Sequence, residues 1–508
     1  MLNLSKSKYC GIWQCPKIAW LKKYMPDQFK LDDTVQDRMD EGNEVGDVAM
    51  NLFGKFVEVT AYKQDGTIDL STMVSKTKEE LQKGTNIICE ASFDYNGLYC
   101  AVDILKKDGD GYSIYEVKSS TTSRNNQTKK KPKEVYYADI AYQKYVLEHS
   151  GINVINVFLV TINSDYIFDG TLNLDELFNI DIVNDKVAQE IQKVEINIKA
   201  AEKLLASDIE PVKELSEDCN HPYLCGFWDY CKKNIPSPSV FNIYGMRFKQ
   251  KIGLYRQNII TYEDLYKNNC CINNPIRQRQ LEFYLQDKGT YIEKENIQEY
   301  LKQLSYPLYF LDFETMKSVI PKYIGTRPYQ QIPFQYSLHY IEKEGGKLKH
   351  KEFLGISGTD PRREIAEQLV RDIPTNVCVT AYNKSFECDR LTELAEAFPD
   401  LANHLLNIRD NIVDLIDPFR AGYYYNKLMG GSFSIKSVSP AINPGDPSLD
   451  YHNLDEIHNG GEAMTIFPKI KDMTPEQQAI TRRNLLKYCE LDTLSMVKVW
   501  EELVRVSK

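Results

Sequence analysis

The chain has no run approaching 18 consecutive apolar residues, so no membrane-spanning helix and no membrane partner are expected. It has no surplus of positive charge either: 62 lysines and arginines face 72 acids, a formal net charge of −10. A global field that draws in polyanions is excluded, and any nucleic-acid binding has to rest on local patches. The first 25 residues are polar and lack a secretory pattern, which predicts a soluble, cytoplasmic protein. Twelve cysteines in 508 residues do not read as a disulfide scaffold. In a reducing compartment, clustered cysteines suggest metal and scattered ones suggest core. Internal repeats and long low-complexity segments are missing as well. What is present is 42% apolar content, ample for two or three domains with their own cores.

The organising stretch is Tyr309–Thr315, YFLDFET, whose apolar residues predict a short buried strand. Strand side chains alternate, so Asp312 and Glu314 project from one face. Two acids side by side at a strand end suit a divalent metal pair, although most such pairs are solvated strand acids. Three further stations follow in order. An apolar strand at Val377–Tyr382 leads into Asn383-Lys384-Ser385-Phe386-Glu387, where a helix begins and a first-turn carboxylate is favoured. A strand over Ile412–Leu415 carries Asp414. The helix in LLKYCELDTLSMVKVWEEL puts Tyr488 and Asp492 four residues apart, on one face.

Asp312, Glu314, Glu387 and Asp492 with Tyr488 resemble the DEDDy exonucleases of the RNase H-like fold, over roughly residues 305–505. The segments Tyr382–Glu387 and Tyr488–Thr493 are also similar to an uncharacterised bacterial domain family found fused behind RecB-like nucleases. The resemblance implies that Asp312, Glu314 and Asp492 hold two Mg²⁺ or Mn²⁺ ions, with Glu387 completing the coordination and Tyr488 orienting the attacking water. Glu387 stands where the wider group has aspartate; one extra methylene shifts the metal spacing and keeps the charge. Gly430–Lys436 predicts a loop entering a helix, either a contact to a 3′-terminal strand through N–H groups and Lys436 or an ordinary turn. Tyr423–Tyr425 either stack on unpaired bases or pack in a core.

Towards the N-terminus, residues 34–53 predict a helix, and strands are predicted at Asn86–Phe93, Leu98–Leu105 and Tyr112–Lys118. The turn Tyr95-Asn96-Gly97 is a hairpin signal. A strand at Ile152–Thr161 and a helix near 180–206 follow. Asp103, Glu116 and Lys118 interrupt the apolar strands, and Glu116 and Lys118 share a face. Such a group either binds Mg²⁺ and orients water beside a phosphate, or forms a cross-strand salt bridge on a solvated face. The helix in DIAYQKYVLEH then supplies Gln143. The order Asp103, Glu116-x-Lys118, Gln143 resembles the PD-(D/E)xK nuclease superfamily, in particular RecB-like exonucleases and the iron–sulfur nucleases of CRISPR adaptation. That resemblance implies metal binding by Asp103 and Glu116, contact of Lys118 with the scissile phosphate or water, strand positioning by Gln143, and help from Glu90. Where relatives carry an early-helix histidine this chain has Gly46, so Glu44 substitutes or the ligand is absent. The run Lys129-Lys130-Lys131-Pro132-Lys133 is either a solvated loop or a backbone-phosphate contact.

Cys219, Cys225 and Cys231 fall within thirteen residues, too dense for packing alone, and thiolate clusters bind Zn²⁺ or Fe–S. A local zinc knuckle with His221 is one reading. The other follows the resemblance: Cys15, before Pro16 and a helix, is similar to the first cluster ligand of those nucleases, which implies a [4Fe–4S] cluster. Cys10 is the alternative fourth ligand; Cys89, Cys100, Cys378, Cys388 and Cys489 read as core.

Pro236-Ser237-Pro238 marks a boundary. The segment beyond, with Thr261–Leu265 and Arg256, Arg277 and Arg279, is faintly like a helix-hairpin-helix module, but reads more simply as a spacer. The expected fold is α/β: a restriction-endonuclease-like PD-(D/E)xK domain over residues 1–235, a helical connector over 236–300, and an RNase H-like DEDD domain over 301–508. The expected function is phosphodiester hydrolysis at two metal sites, on single-stranded or frayed DNA. RNA processing with a merely binding N-terminal half, or a metal-stapled scaffold, are the rivals. No helicase motor is visible, so unwinding would need a partner such as a helicase.

Overall fold

A computed structural model describes residues 4–30, 33–124, 132–449, 451–454 and 456–508. The chain is mixed α/β and packs as two units: residues 1–234 with 318–330, and residues 235–317 with 331–508. Among the described residues no helix is long and apolar enough to cross a membrane.

The first unit is built on seven strands: β1 Leu4–Ser5, β2 Val57–Glu58, β3 Ile87–Tyr95, β4 Leu98–Asp108, β5 Gly111–Thr122, β6 Val154–Asn163 and β7 Phe178–Ile182. Their order is β2-β3-β4-β5-β6-β7, with β1 beside β4. Strands β3, β4 and β5 form an antiparallel meander, whereas β6 runs parallel to β5. A parallel neighbour needs a crossover, and the helix Glu134–His149 supplies it. Alternation then sorts the strand residues. Ile88, Val102, Ile114 and Leu159 face Ile140, Tyr142 and Val146 of that helix. Ile87, Cys89, Ile104 and Val160 meet Val45, Ala49, Val319 and Ile320. The excursion 318–330 thus covers one sheet face of the first unit, which nothing in its local sequence announces.

In the second unit, β8 Thr290–Ile292 pairs with β14 Tyr424–Asn426. The main sheet contains β9 Leu308–Met316, β10 Ile332–Ile341, β11 Lys349–Leu354, β12 Cys378–Ala381 and β13 Ile412–Asp414, in the order β11-β10-β9-β12-β13. The β9, β10 and β11 pairings are antiparallel, and the β9, β12 and β13 pairings parallel. Tyr309, Leu311 and Phe313 pack under the helices Arg362–Asp372, Ser385–Ala397 and Ala402–Asp410. The alternate residues Leu308 and Phe310 pack with Met496 and Val497 of the helix Pro475–Ser507. Asp312 and Glu314 continue that second set. The long helix starts where Thr474 and Gln477 cap each other and Pro475 takes the first position.

Residues 236–300 are not a free-standing spacer. Phe283, Ile297 and Tyr300 share a core with Phe419, Tyr424, Val499 and Leu503, so apolar burial holds these helices in the second unit. Tyr424 and Tyr425 are buried in that core too, which removes them as stacking platforms for bases.

Leu311 is fully buried between β9's neighbours and the covering helices. Leu311→Ala is expected to destabilise the second unit by about 2–5 kcal/mol through lost contacts and a residual cavity. Thermal unfolding of the full chain checks this, since one transition should move down while the first unit's stays.

Candidate functional site

In the second unit, Asp312 and Glu314 leave β9 on the face covered by Pro475–Ser507, and that helix returns Tyr488 and Asp492. Glu387 comes from the first turn of Ser385–Ala397. Glu314, Glu387 and Asp492 are 7%, 2% and 6% exposed, so these are not solvated strand acids. Their charges act on one another. Burial, then Asp492, Glu314 and Glu387, hold the Asp312 carboxyl well above the usual range. Burial and Asp492 raise Glu314 likewise, with Lys436 opposing. Burial pushes Glu387 up to about 8. Burial also raises Asp492, against the hydrogen bonds of Tyr451 and Tyr488 and the charge of Lys436. One oxygen of Glu387, Oε2, is buried without a hydrogen-bond partner.

Asp414 has a different task. Its carboxylate accepts the N–H groups of Asn383 at 2.8 Å and Lys384 at 3.1 Å. Asn383 sits at φ +70°, a conformation asparagine tolerates better than most residues, and the turn it makes aims the Glu387 helix.

Three contributors escaped sequence reasoning or were assigned elsewhere. Tyr451, 41 residues upstream of Asp492 in an irregular segment, donates its hydroxyl to Asp492 Oδ1 at 2.6 Å. Lys436, read from sequence as a strand contact or part of an ordinary turn, stands 5.0 Å and 5.1 Å from the ring centres of Tyr451 and Tyr488 and its charge acts on Glu314 and Asp492. Cys489 is buried as expected, yet its Sγ lies 3.8 Å from Asp312 Oδ2. Asp312, Glu314 and Cys489 offer donor atoms all within 4.8 Å of one another. The Y-C-x-x-D spacing held the clue: one helical turn cannot point Tyr488 and Asp492 at β9 without bringing the next residue close.

In the first unit, Glu116 Oε1 accepts from Lys118 Nζ and Oε2 from Gln143 Nε2 at 2.7 Å. Asp103 is held across the meander by the N–H of Val117, at 2.7 Å to Oδ2. Two residues not singled out from sequence complete the group. Asp139, one helical turn before Gln143, accepts from Lys118 at 2.8 Å and from Gln143 at 3.0 Å. Lys6, 110 residues before Glu116, lies 3.2 Å from Glu116 and 3.5 Å from Asp103. Glu116 is fully buried, so the solvated-face salt bridge is not what this group forms. Burial, then Asp103 and Asp139, push Glu116 up to about 7. Glu90 is also raised to about 7, by burial and then Asp103. It sits in a strand at φ +56°, backbone that a glutamate rarely adopts. Gln143 Oε1 is buried without a partner. Glu44 is elsewhere engaged, 3.6 Å from Lys322. Of the lysine run, residues 129–131 lie outside the described residues, and Lys133 stacks over Tyr223 with Nζ 3.4 Å from the ring centre.

Cys15 separates the helices Lys6–Gln14 and Pro16–Tyr24. It packs with Cys225 and Cys231 around Leu21 and Phe227. Gln14 donates to the carbonyls of Asp218 and Tyr223, both at 2.9 Å, and so fastens the N-terminal helix to the later cysteine segment. Burial raises Cys225 to about 11, and the thiols of Cys15, Cys231 and Cys219 add to that rise. Cys10 does not join them: the charges acting on its thiol are Asp139, Lys118, Lys6 and Glu116. His221 is exposed.

A family described as "Domain of unknown function (DUF2779)" matches residues 309–434. The match takes in Asp312, Glu314, Glu387 and Asp414 and stops short of Lys436, Tyr488 and Asp492. Over 264 residues the chain is 27% identical to "Uncharacterized protein UU173" of Ureaplasma parvum serovar 3 (strain ATCC 700970). That alignment covers 47% of this chain and 34% of the relative, so the chain spans about a third of the length of the curated protein it matches.

The acid cluster has a signature in pH. Glu387, ordinarily at 4.5, is raised to about 8, so folding takes up a proton between those values. Its contribution to stability is full below 4.5 and is lost as pH rises through about 8. In chelator, the second unit's melting midpoint is expected to fall by several degrees from about pH 5 to about pH 8, at roughly 2–4 °C per kcal/mol. Mn²⁺ should restore it and Glu387→Gln should reduce the slope of the profile, since Asp312, Glu314 and Asp492 are raised as well. Calorimetry in chelator decides; a midpoint that rises over this interval contradicts the reading.

Proposed function

We propose that the chain is a metal-dependent nuclease with two hydrolytic sites, one in each unit. The observation that carries the reading is the set of four carboxylates drawn from three distant elements, Glu314, Glu387 and Asp492 buried and Asp312 half-buried beside them. Like charge from the rest of the set raises Asp312 and Glu314, and Glu387 Oε2 has no hydrogen-bond partner. An arrangement so costly in low dielectric fits divalent cations as the missing countercharge. Two Mg²⁺ or Mn²⁺ ions bound there would stabilise the entering and departing oxygens of an in-line displacement. Asp312, Glu314 and Asp492 would hold them, Glu387 would complete the coordination, and Tyr488 would orient the attacking water. Lys436 is placed to neutralise a phosphate beside Glu314 and Asp492. The strand order β11-β10-β9-β12-β13, antiparallel then parallel, supports the likeness to the RNase H-like fold, and cleavage from a 3′ end would follow from the DEDDy resemblance.

For the first unit, support comes from the meander, crossover helix and parallel strand, the core arrangement of PD-(D/E)xK nucleases. Asp103 and Glu116 would hold a metal ion, aided by Glu90; Lys118 would meet the phosphate, and Gln143 would position the strand. The four cysteines would hold an iron–sulfur cluster. Such a cluster would tie residue 15 to residues 219–231 as a structural staple, and Zn²⁺ is the alternative occupant.

End-labelled DNA and RNA oligonucleotides with Mg²⁺ or Mn²⁺ test the function. Asp312→Ala should remove 3′ trimming by a factor of roughly a hundred or more and spare cleavage by the first unit; Lys118→Ala should do the reverse. Loss of both activities in either folded variant rules out two independent sites, and RNA-only cleavage replaces DNA as the substrate. Anaerobically purified protein should contain iron and sulfide and absorb near ~400 nm, with Cys225→Ser losing the band. Stoichiometric zinc in place of iron overturns the cluster.

A further inference from the structure

We propose that His339, His350 and Glu490 form a separate cation site in the second unit, taking Zn²⁺ or a similar borderline transition metal ion. The site uses none of the acids already described, and it stands whether or not the nuclease reading does.

His339 on β10 and His350 on β11 are directly opposed partners in the antiparallel register, with ring centres 4.5 Å apart. Glu490 reaches them from the helix Pro475–Ser507. One donor atom from each of the three lies within 4.8 Å of the other two, and His350 Nδ1 is 3.9 Å from Glu490 Oε1. Tetrahedral Zn²⁺ with bonds of about 2.0–2.1 Å separates its ligands by about 3.4 Å, so modest rotamer changes close the set.

The far side of each ring is already engaged. His339 Nδ1 is 2.8 Å from Thr493 Oγ1, and His350 Nε2 is 2.9 Å from Ser337 Oγ. The two hydroxyls meet at 2.6 Å, and Thr493 also donates to the carbonyl oxygen of Glu490 at 3.1 Å. This leaves Nε2 of His339 and Nδ1 of His350 for a metal, with both rings oriented from behind, as in built metal sites.

Two imidazoles and one carboxylate match Zn²⁺ with a fourth position left open, whereas Mg²⁺ and Ca²⁺ prefer all-oxygen ligands. Access exists: the side chains of His350 and Glu490 are 23% and 47% exposed. An ion here would join β10, β11 and the long helix. Glu490 is two residues before Asp492, and Ser337 lies opposite Asp312 in register, so the clasp would fix the helix that carries Asp492 against the sheet that carries Asp312.

The test is a Zn²⁺ titration of the metal-stripped full-length chain against a competing chelator, with Mg²⁺ in excess. His350→Ala is expected to bind one equivalent fewer than the wild type, and Glu490→Gln to bind that equivalent at least about tenfold more weakly. Asp312→Ala should retain it. Zn²⁺ should raise the second unit's melting midpoint in the wild type by more than in either site variant. Glu490 is half-exposed on a helix surface, so Glu490→Gln reports even if His350→Ala fails to fold. Unchanged stoichiometry and affinity in a folded Glu490→Gln or His350→Ala overturns the proposal.

Discussion

Like charges held together away from water are the constraint on which both candidate sites turn. A buried carboxylate is tolerated when a cation or several donors answer it, and otherwise it keeps its proton. The two units answer differently. In the first, Lys6 and Lys118 stand among Asp103, Glu116 and Asp139, so most of the charge is met from within the chain. In the second, Lys436 alone is the lysine that acts on Glu314 and Asp492 among the described residues, and burial followed by the repulsion of Asp492, Glu314 and Glu387 raises Asp312. The second cluster is therefore the less answered from within the chain, and the first is closer to a self-satisfied ion network.

Keeping such groups in place takes rigid backbone, and the devices are visible. Asp414 spends its carboxylate on two N–H groups of the turn before Glu387. The parallel β12 and β13 fix that turn relative to β9. In the first unit, the crossover helix delivers Asp139 and Gln143 one turn apart, so a single helix face closes over Glu116 and Lys118. Glu90 accepts a left-handed φ in the middle of a strand, and its carboxyl joins the same field. Gln14 works at longer range, bonding two carbonyls of the segment that bears the later cysteines.

Much of this was legible because it is local. Alternation in YFLDFET put Asp312 and Glu314 on one face, and the four-residue step put Tyr488 with Asp492. Hairpin chemistry at Asn96-Gly97 marked the join of β3 to β4, while the next hairpin, between β4 and β5, sets Asp103 beside Glu116. Illegible were the groups whose partners lie far away in the chain. Lys6 precedes Glu116 by 110 residues and sits in an ordinary helix start. Tyr451 comes from an irregular segment without periodicity. The excursion 318–330 looks like a surface loop, yet Val319 and Ile320 complete a core of the first unit. The helices after Pro238 read as a spacer because each is short; only their shared burial with Phe419, Val499 and Leu503 makes them part of the second unit.

The sequence by itself determined the mixed α/β class, the element types and the faces on which the acids project, since strand and helix periods are properties of neighbouring residues. It also determined the density of cysteines between residues 219 and 231. The tertiary structure decided which charges meet which: that Lys6 answers Glu116 while Asp139 crowds it, that Cys10 lies among the acids and lysines of that group rather than among thiols, and that His339 and His350 stand opposite each other beneath Glu490. Electrostatic partnership depends on distance in space and on exclusion of water, and both are fixed only when remote segments pack.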